Sequence, residues 1–316
     1  MLTRRTVLWA KRETTYGTDP AMTGSDAMLA YDIDFQPAGE VLERPVLRDT
    51  LSPIAHVIGL KEQSLTFKTE LKGIGGVGAT VGLNGFELDD LLSGVGFNTG
   101  VYSGTATTYS LVSAENSLGS VSFRMYMDDA NLHKMTGARG TVKLNMKAGN
   151  YGELEWNFKG LYVSVASATN PTQTSLTTLQ PPIVYNSSFQ IAGFSPVCSA
   201  AEIDLGNDIV RRDSLNASAG VDSFRLTGRK PKISFDADAV AESSNPFWGD
   251  WEGGIVDTFG ITIGSTANNK IDISGYFEYS QNKYGDADGV RKFDCEAALV
   301  SSNVNTGNDE LTIKFS

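Results

Sequence analysis

Alternation with a period of two is the feature that most restricts this chain. In Glu153-Leu154-Glu155-Trp156-Asn157-Phe158-Lys159 the apolar side chains Leu154, Trp156 and Phe158 share one face and the polar ones take the other. Successive side chains of an extended strand point to opposite sides, so this segment reads as a half-buried antiparallel strand. Ser64–Thr69, Thr141–Met146, Lys232–Asp236 and Leu311–Phe315 repeat the pattern, with Gly and Asn between such runs as turns. Ala148-Gly149-Asn150-Tyr151-Gly152 separates two of them at hairpin distance, which predicts one long hairpin over 139–165.

Helical signals occur twice. Leu88, Leu91, Leu92 and Val95 follow i, i+3, i+4, i+7 spacing after a candidate cap at Asn84, and Gly94 and Gly96 end the run. Asn245-Pro246 then reads as a cap followed by Pro at the first helical position, with Phe247, Trp248 and Trp251 on one side. Both helices are expected to span two to three turns.

These elements belong to a larger repetition. Ile33-Asp34-Phe35 echoes Ile203-Asp204-Leu205, Leu47-Arg48-Asp49-Thr50-Leu51 echoes Arg211-Arg212-Asp213-Ser214-Leu215, and Leu65-Thr66-Phe67 echoes Ile233-Ser234-Phe235, while the helices match through Phe86 and Phe247. Chance explains any one match, but four in the same order, about 160–170 residues apart, favour an internal duplication. The expected organisation is mainly β: two tandem, duplicated β-sandwich or barrel domains, each with a short flanking α-helix. One covers 1–167 and the other 183–316, with the Pro- and Thr-rich stretch 168–182 as linker.

Charge and cysteine content narrow the function. Lys and Arg total 26 against 37 Asp and Glu, a net charge of −11. That argues against a protein that grips nucleic acid, because phosphate binding draws on clustered cations. Two cysteines, Cys198 and Cys295, without a CxxC partner supply neither a zinc site nor a disulfide framework, and read as free, buried thiols. The apolar stretch Val7-Leu8-Trp9-Ala10 is too short for a signal peptide, and no apolar run of about 18 residues predicts a membrane span.

Motif matches are weak. Gly73-Ile74-Gly75-Gly76-Val77-Gly78 spells GxGxxG, but no parallel βαβ unit follows it, so it reads as a glycine loop. Asp128-Asp129 with His133 reads as solvated loop chemistry rather than a metal site. Asp286-Ala287-Asp288-Gly289 lacks the flanking carboxylates of a calcium loop and reads as a tight acidic turn. No nucleophile-elbow pattern accompanies the two histidines. No catalytic residue, metal ligand or cofactor is expected.

The segment Ala10-Lys11-Arg12-Glu13-Thr14-Thr15-Tyr16-Gly17-Thr18-Asp19-Pro20 resembles the start of the tail tube (major tail) proteins of long, non-contractile-tailed bacteriophages. Leu132-His133-Lys134-Met135-Thr136-Gly137-Ala138-Arg139-Gly140-Thr141-Val142 resembles the family's central hairpin, Gly160-Leu161-Tyr162 its continuation, and Gly307-Asn308-Asp309-Glu310-Leu311-Thr312 its C-terminal end. The resemblance implies tail-tube-type domains with long hairpins that join neighbours into rings. It implies a structural virion protein without enzymatic activity, made in the host cytoplasm, that stacks into a tail tube for DNA ejection. Its implied partners are further copies of itself, the tape-measure protein, and the tail terminator and distal tail proteins; DNA only passes through, and no membrane is involved. Single-domain members form hexameric rings, so a duplicated chain favours a homotrimeric ring with pseudo-sixfold symmetry, a hexamer being the other option.

An acidic lumen repels DNA phosphate over the short range that salt permits. Glu153, Glu155, Asp272 and Glu278 are the lumen-facing candidates, although the same acids are equally compatible with a solvated outer face. Arg44, Arg48 and Asp49, in a loop that mixes charge with apolar residues, are candidates for contact between rings. The basic segment Arg4, Arg5, Lys11 and Arg12 is a second candidate for that role, a solvated terminus being the alternative. The rival reading is a soluble two-domain β-sandwich glycan- or protein-binding module using Trp248, Trp251 and Tyr276; a weaker one is a hydrolase with paired carboxylates.

Overall fold

The computed structural model describes residues 2–75, 86–104, 106–174 and 176–316. The first half of the chain supplies β1 (Thr6–Arg12), β2 (Ala27–Met28), β3 (Tyr31–Leu42), β4 (Val57–Glu70), α1 (Glu87–Gly94), β5 (Val101–Ser103), β6 (Ala106–Ser110), β7 (Val121–Met127), β8 (Asn131–Lys147) and β9 (Glu153–Ser167). The second supplies β10 (Ser188–Ile191), β11 (Cys198–Asp204), β12 (Asn207–Asp213), β13 (Val221–Arg229), β14 (Lys232–Asp238), α2 (Phe247–Gly253), β15 (Val256–Ile263), β16 (Ile271–Ala287), β17 (Val290–Leu299) and β18 (Thr312–Phe315). The architecture is mainly β and antiparallel, with two short α-helices among the described residues. None of these is long and apolar enough to cross a membrane.

The strand order of the first half is β1-β7-β8-β9-β4-β3. The second half runs β10-β15-β16-β17-β14-β11. Two of the four sequence echoes fall on corresponding members of these two series, Ile33–Phe35 with Ile203–Leu205 on β3 and at the end of β11, and Leu65–Phe67 with Ile233–Phe235 on β4 and β14. The halves also share strands: β11 adds to β8, and β18 lies between β16 and β6. One open sheet therefore runs through both, and it does not close into a barrel.

Long bent strands let each half fold back on itself. β8 changes register against β9 between Thr136 and Arg139, and β16 does so against β17 between Tyr279 and Gln281. Such an extra residue sharpens twist and lets one strand serve two layers of a sandwich. Between the layers Phe67 meets Phe123 edge-on at 5.8 Å and Phe123 lies 4.9 Å from Phe158, while Phe247 and Phe293 sit 4.9 Å apart in the second half. Leu88, Leu91 and Leu92 of α1 are fully covered, as their spacing requires.

Several local expectations are adjusted. The hairpin predicted over 139–165 is β8–β9, and it starts earlier. Asn84 lies outside the described residues, and Phe86 occupies the position before α1. Helix α2 begins at Phe247, so Pro246 is its cap residue rather than its first helical one. Cys295 is buried, but Cys198 is only half-buried; burial raises both thiols to about 12. Of the glycine loop, residues 76–78 lie outside the described residues, while the Gly73 amide donates to Asn269 Oδ1 at 2.9 Å and the Gly75 amide to the Asn268 carbonyl at 2.9 Å. Those donors serve a loop contact, not a phosphate. The turn at Ala287–Val290 is tight, with Asp288 and Gly289 both at positive φ.

Burial of Asp90 in α1 raises its carboxyl to about 6, with Arg12 opposing the shift and Asp89 reinforcing it. The unfolded chain ionises it near 3.9, so the folded state binds the proton more tightly and loses stability as pH rises from about 4 to 6. Asp90→Asn is expected to flatten that slope and add about 2 kcal/mol at pH 7. Melting curves from pH 4 to 7 check this; equal slopes in both proteins would refute it.

Candidate functional site

The outer face of the shared sheet carries the main chemical feature. One row of directly opposed residues runs Lys68, Glu155, Lys143, Asp204, Lys232, Ala298, Glu278 across β4, β9, β8, β11, β14, β17 and β16. Its neighbour runs Glu70, Glu153, Asn145, Glu202, Ser234, Glu296, Gln281 across the same strands. Opposed residues of an antiparallel pair project to the same side, so both rows lie on one polar surface. The first alternates in sign over five strands and the second contains only acids and neutral groups.

Its cations are lysines held by carboxylates. Lys143 lies 3.3 Å from Asp204 and 3.8 Å from Glu202, Lys232 is 3.2 Å from Glu296, and Lys68 is 3.4 Å from Asp32. Asp204 raises the Lys143 pKa, and the hydrogen bond to Asp32 raises that of Lys68. Further along the face, Asp236 accepts from Lys292 Nζ at 2.8 Å and from the Ala200 amide at 2.7 Å. Burial opposes its charge, yet Lys292, Ser199 and that amide hold its carboxyl below the usual range.

The sequence candidates are thus distributed unevenly. Glu153, Glu155 and Glu278 lie in the two rows, and Glu153 also accepts from the Tyr31 hydroxyl at 2.8 Å. Asp272 sits on β16 outside the rows, between Thr262 and Lys314, with Thr262 Oγ1 donating at 2.7 Å and Lys270 3.1 Å away. Sequence reasoning missed Glu70, Glu202, Asp204 and Glu296. Alternation marks each as outward, but only the register between distant strands aligns them.

A second feature is a pair of hairpin arms. Arg44, Arg48 and Asp49 lie in the loop between β3 and β4 and are exposed, as are Leu47 (99%) and Leu51 (104%). In the second half β12 and β13 form the corresponding arm, whose tip residue Leu215 is 105% exposed. The body of this arm is seated on the first half. Asn207 Nδ2 donates to the Val95 and Gly140 carbonyls at 2.7 and 2.8 Å, Phe224 is buried, and Arg211 lies 3.1 Å from Glu62.

Residues from the segments that carry the family resemblance meet under that arm. Glu13 accepts from the Gly17 and Gly137 amides, both at 2.7 Å, and from the Ser120 and Ser122 hydroxyls, both at 2.6 Å. Tyr16 donates to the Gly137 carbonyl at 2.9 Å and accepts from the Phe224 amide at 2.7 Å, and burial raises its hydroxyl to about 12. Asp19 binds Arg124 at 2.9 Å and Lys134 at 3.0 Å. Gly137 has φ of +59°, and a Cβ there would meet the Tyr16 ring at 2.8 Å, so glycine is required.

Other candidates are engaged internally. Arg5 pairs with Asp128 and Asp129, Lys11 with Asp26 and Arg12 with Asp89, so most of the basic N-terminal segment is already partnered. His133 packs its ring against Phe35, 5.2 Å away, rather than joining those acids. Trp248 Nε1 donates to the Tyr284 hydroxyl at 3.1 Å and Trp251 Nε1 to the Ser280 carbonyl at 3.3 Å, while Tyr276 is half-buried. Among the described residues no three or more His, Cys, Asp or Glu side chains are grouped to hold a metal ion.

No curated protein matches the chain. A family model described as phage tail tube protein matches residues 3–302, a span that includes both arms and every strand of the shared sheet except β18. The chain therefore belongs to the phage tail tube protein family, a structural component of the virion.

Proposed function

We propose that the chain polymerises into hollow stacked rings of three copies with pseudo-sixfold symmetry, and that the acidic face of the shared sheet lines the lumen through which DNA is ejected. The observation that carries this reading is the pair of cross-strand rows, which run unbroken over seven strands and both halves. A face of that extent, with carboxylates in excess, repels phosphate within the roughly 8–10 Å over which charge acts at physiological salt. Its two rows contain lysine but no arginine. Arginine grips phosphate through two parallel hydrogen bonds, whereas a lysine already bound to a carboxylate is a poor competitor for DNA.

The matching strand orders of the two halves support a duplication with domains at 1–167 and 183–316. Residues 168–182 would be the link; their described part is neither helix nor strand, and Thr174 is hydrogen-bonded to Gly24. Arm tips bearing Leu47, Leu51 and Leu215, with Arg44, Arg48 and Asp49, supply exposed apolar and charged groups for contact between rings. The tube is then built in the host cytoplasm around the tape-measure protein and bounded by the terminator and distal tail proteins, without a chemical reaction or a cofactor.

Electron microscopy of the purified, assembled protein tests this. Hollow tubes with three chains per ring are expected. Six chains per ring would retain the conduit and remove the pseudo-sixfold arrangement, and a folded monomer that never polymerises, even with the other tail components, would overturn the reading.

A further inference from the structure

Each chain contains one completed joint and the two unfilled halves of another. In the completed joint β11 adds antiparallel to the distal part of β8, from Ala200 opposite Lys147 to Asp204 opposite Lys143, beyond the point where β7 ends. Lys143 on the receiving strand binds Asp204 and Glu202 on the incoming one. At Gly206, with φ of +57°, the chain turns, and the β12–β13 arm crosses onto the first half.

The counterparts stand open. β16 occupies the place of β8, and β15 leaves it at Val256 opposite Glu278. Residues 281–287 pair with β17 along one edge, and among the described residues the other edge has no strand partner. β3 occupies the place of β11 and β12 together; it pairs with β4, and its other edge is likewise free among the described residues. The charges repeat as well, since β3 presents exposed Asp32 and Asp34 while β16 presents exposed Lys283. In the β3–β4 arm Val57 and Ile58 are 51% and 45% exposed, whereas the seated arm buries Val221 and Phe224.

We propose that β3 of one copy adds antiparallel to residues 281–287 of β16 in a second copy, with its arm lying across that copy's C-terminal half as β12–β13 lies across the first half. An exposed strand edge is a template for pairing. One donor edge and one acceptor edge per chain make a head-to-tail contact, which continues until the ring closes. The inference rests on the ring assembly proposed above and specifies its joint.

Disulfide trapping tests it. Asp34→Cys is combined in turn with Gln281→Cys, Lys283→Cys and Gly285→Cys, which samples the registers that keep both residues on the polar face. Directly opposed strand residues bring their Cβ atoms within about 4.5–5.5 Å, close enough to link after small adjustment. One combination is expected to give an oxidant-dependent ladder of linked chains ending at the ring number, while each single variant gives none. The pair Lys143→Cys and Asp204→Cys, opposed within one chain, calibrates the reaction.

Tubes without a ladder would overturn the strand pairing and leave the tube reading intact. A ladder without tubes would keep the pairing and remove the tube, and neither would overturn both. Amide exchange in the unmodified protein gives a second readout that is independent of register and of variant folding. Residues 281–287 are expected to slow at least about tenfold on assembly; unchanged exchange there in assembled tubes would overturn the proposal.

Discussion

Glu13→Ala is expected to lower the unfolding free energy by about 3–5 kcal/mol. Glu13 is 8% exposed and its two oxygens accept four hydrogen bonds, from Gly17, Gly137, Ser120 and Ser122. Hydrogen bonds to a charged group contribute about 1.5–3 kcal/mol each, and truncation leaves buried donors unpaired, although such contributions do not add fully. Glu13→Gln retains one acceptor oxygen and should fall between the two. Urea titration measures both, and a loss below about 1 kcal/mol for the alanine variant would show that the carboxylate does not organise the N-terminal segment against β8.

The second large effect concerns passage rather than folding. Replacing Glu70, Glu153, Glu202 and Glu296 together with lysine converts the acidic row into a phosphate-binding one. Phage carrying these changes is expected to form tails of normal diameter and yet lose infectivity at least about a hundredfold, because each lysine that meets phosphate gains affinity by releasing counterions. The same four positions changed to glutamine supply the control for assembly, and their loss should be much smaller. Normal tails with unchanged titre and unchanged DNA ejection in the lysine variant would remove this face from the lumen.

Much of the local structure was legible in the sequence because its causes are local. The alternation of Leu154, Trp156 and Phe158 against charged neighbours fixes β9, and the spacing of Leu88, Leu91 and Leu92 fixes α1. Asp286–Gly289 announces its turn through the residues that tolerate positive φ. The candidate lumen acids were legible only as outward-facing residues. That Glu155 stands opposite Lys143 belongs to the β8–β9 hairpin, but Lys143 standing opposite Asp204 follows from β11 adding to β8 across an intervening stretch of fifty residues or more, and no short window contains that register. The buried role of Glu13 was hidden for the opposite reason. A charged residue in a polar segment reads as solvated, and three of its four donors, a glycine amide and two hydroxyls, lie more than a hundred positions away.

The joint between β8 and β11 also bears on the order of events during tail growth. A contact inside one chain forms at an effective concentration in the millimolar range, set by the connecting segment, and is indifferent to how much protein the cell has made. The proposed matching contact between chains would require collision and depend on protein supply. In the proposed ring, a subunit that arrives with one joint already made would halve the number of encounters needed for closure and leave one arm to be seated instead of two. Growth by that route would be tied to the rate at which whole subunits meet at the tube's end, and premature aggregation in the pool of free subunits would have fewer edges on which to begin.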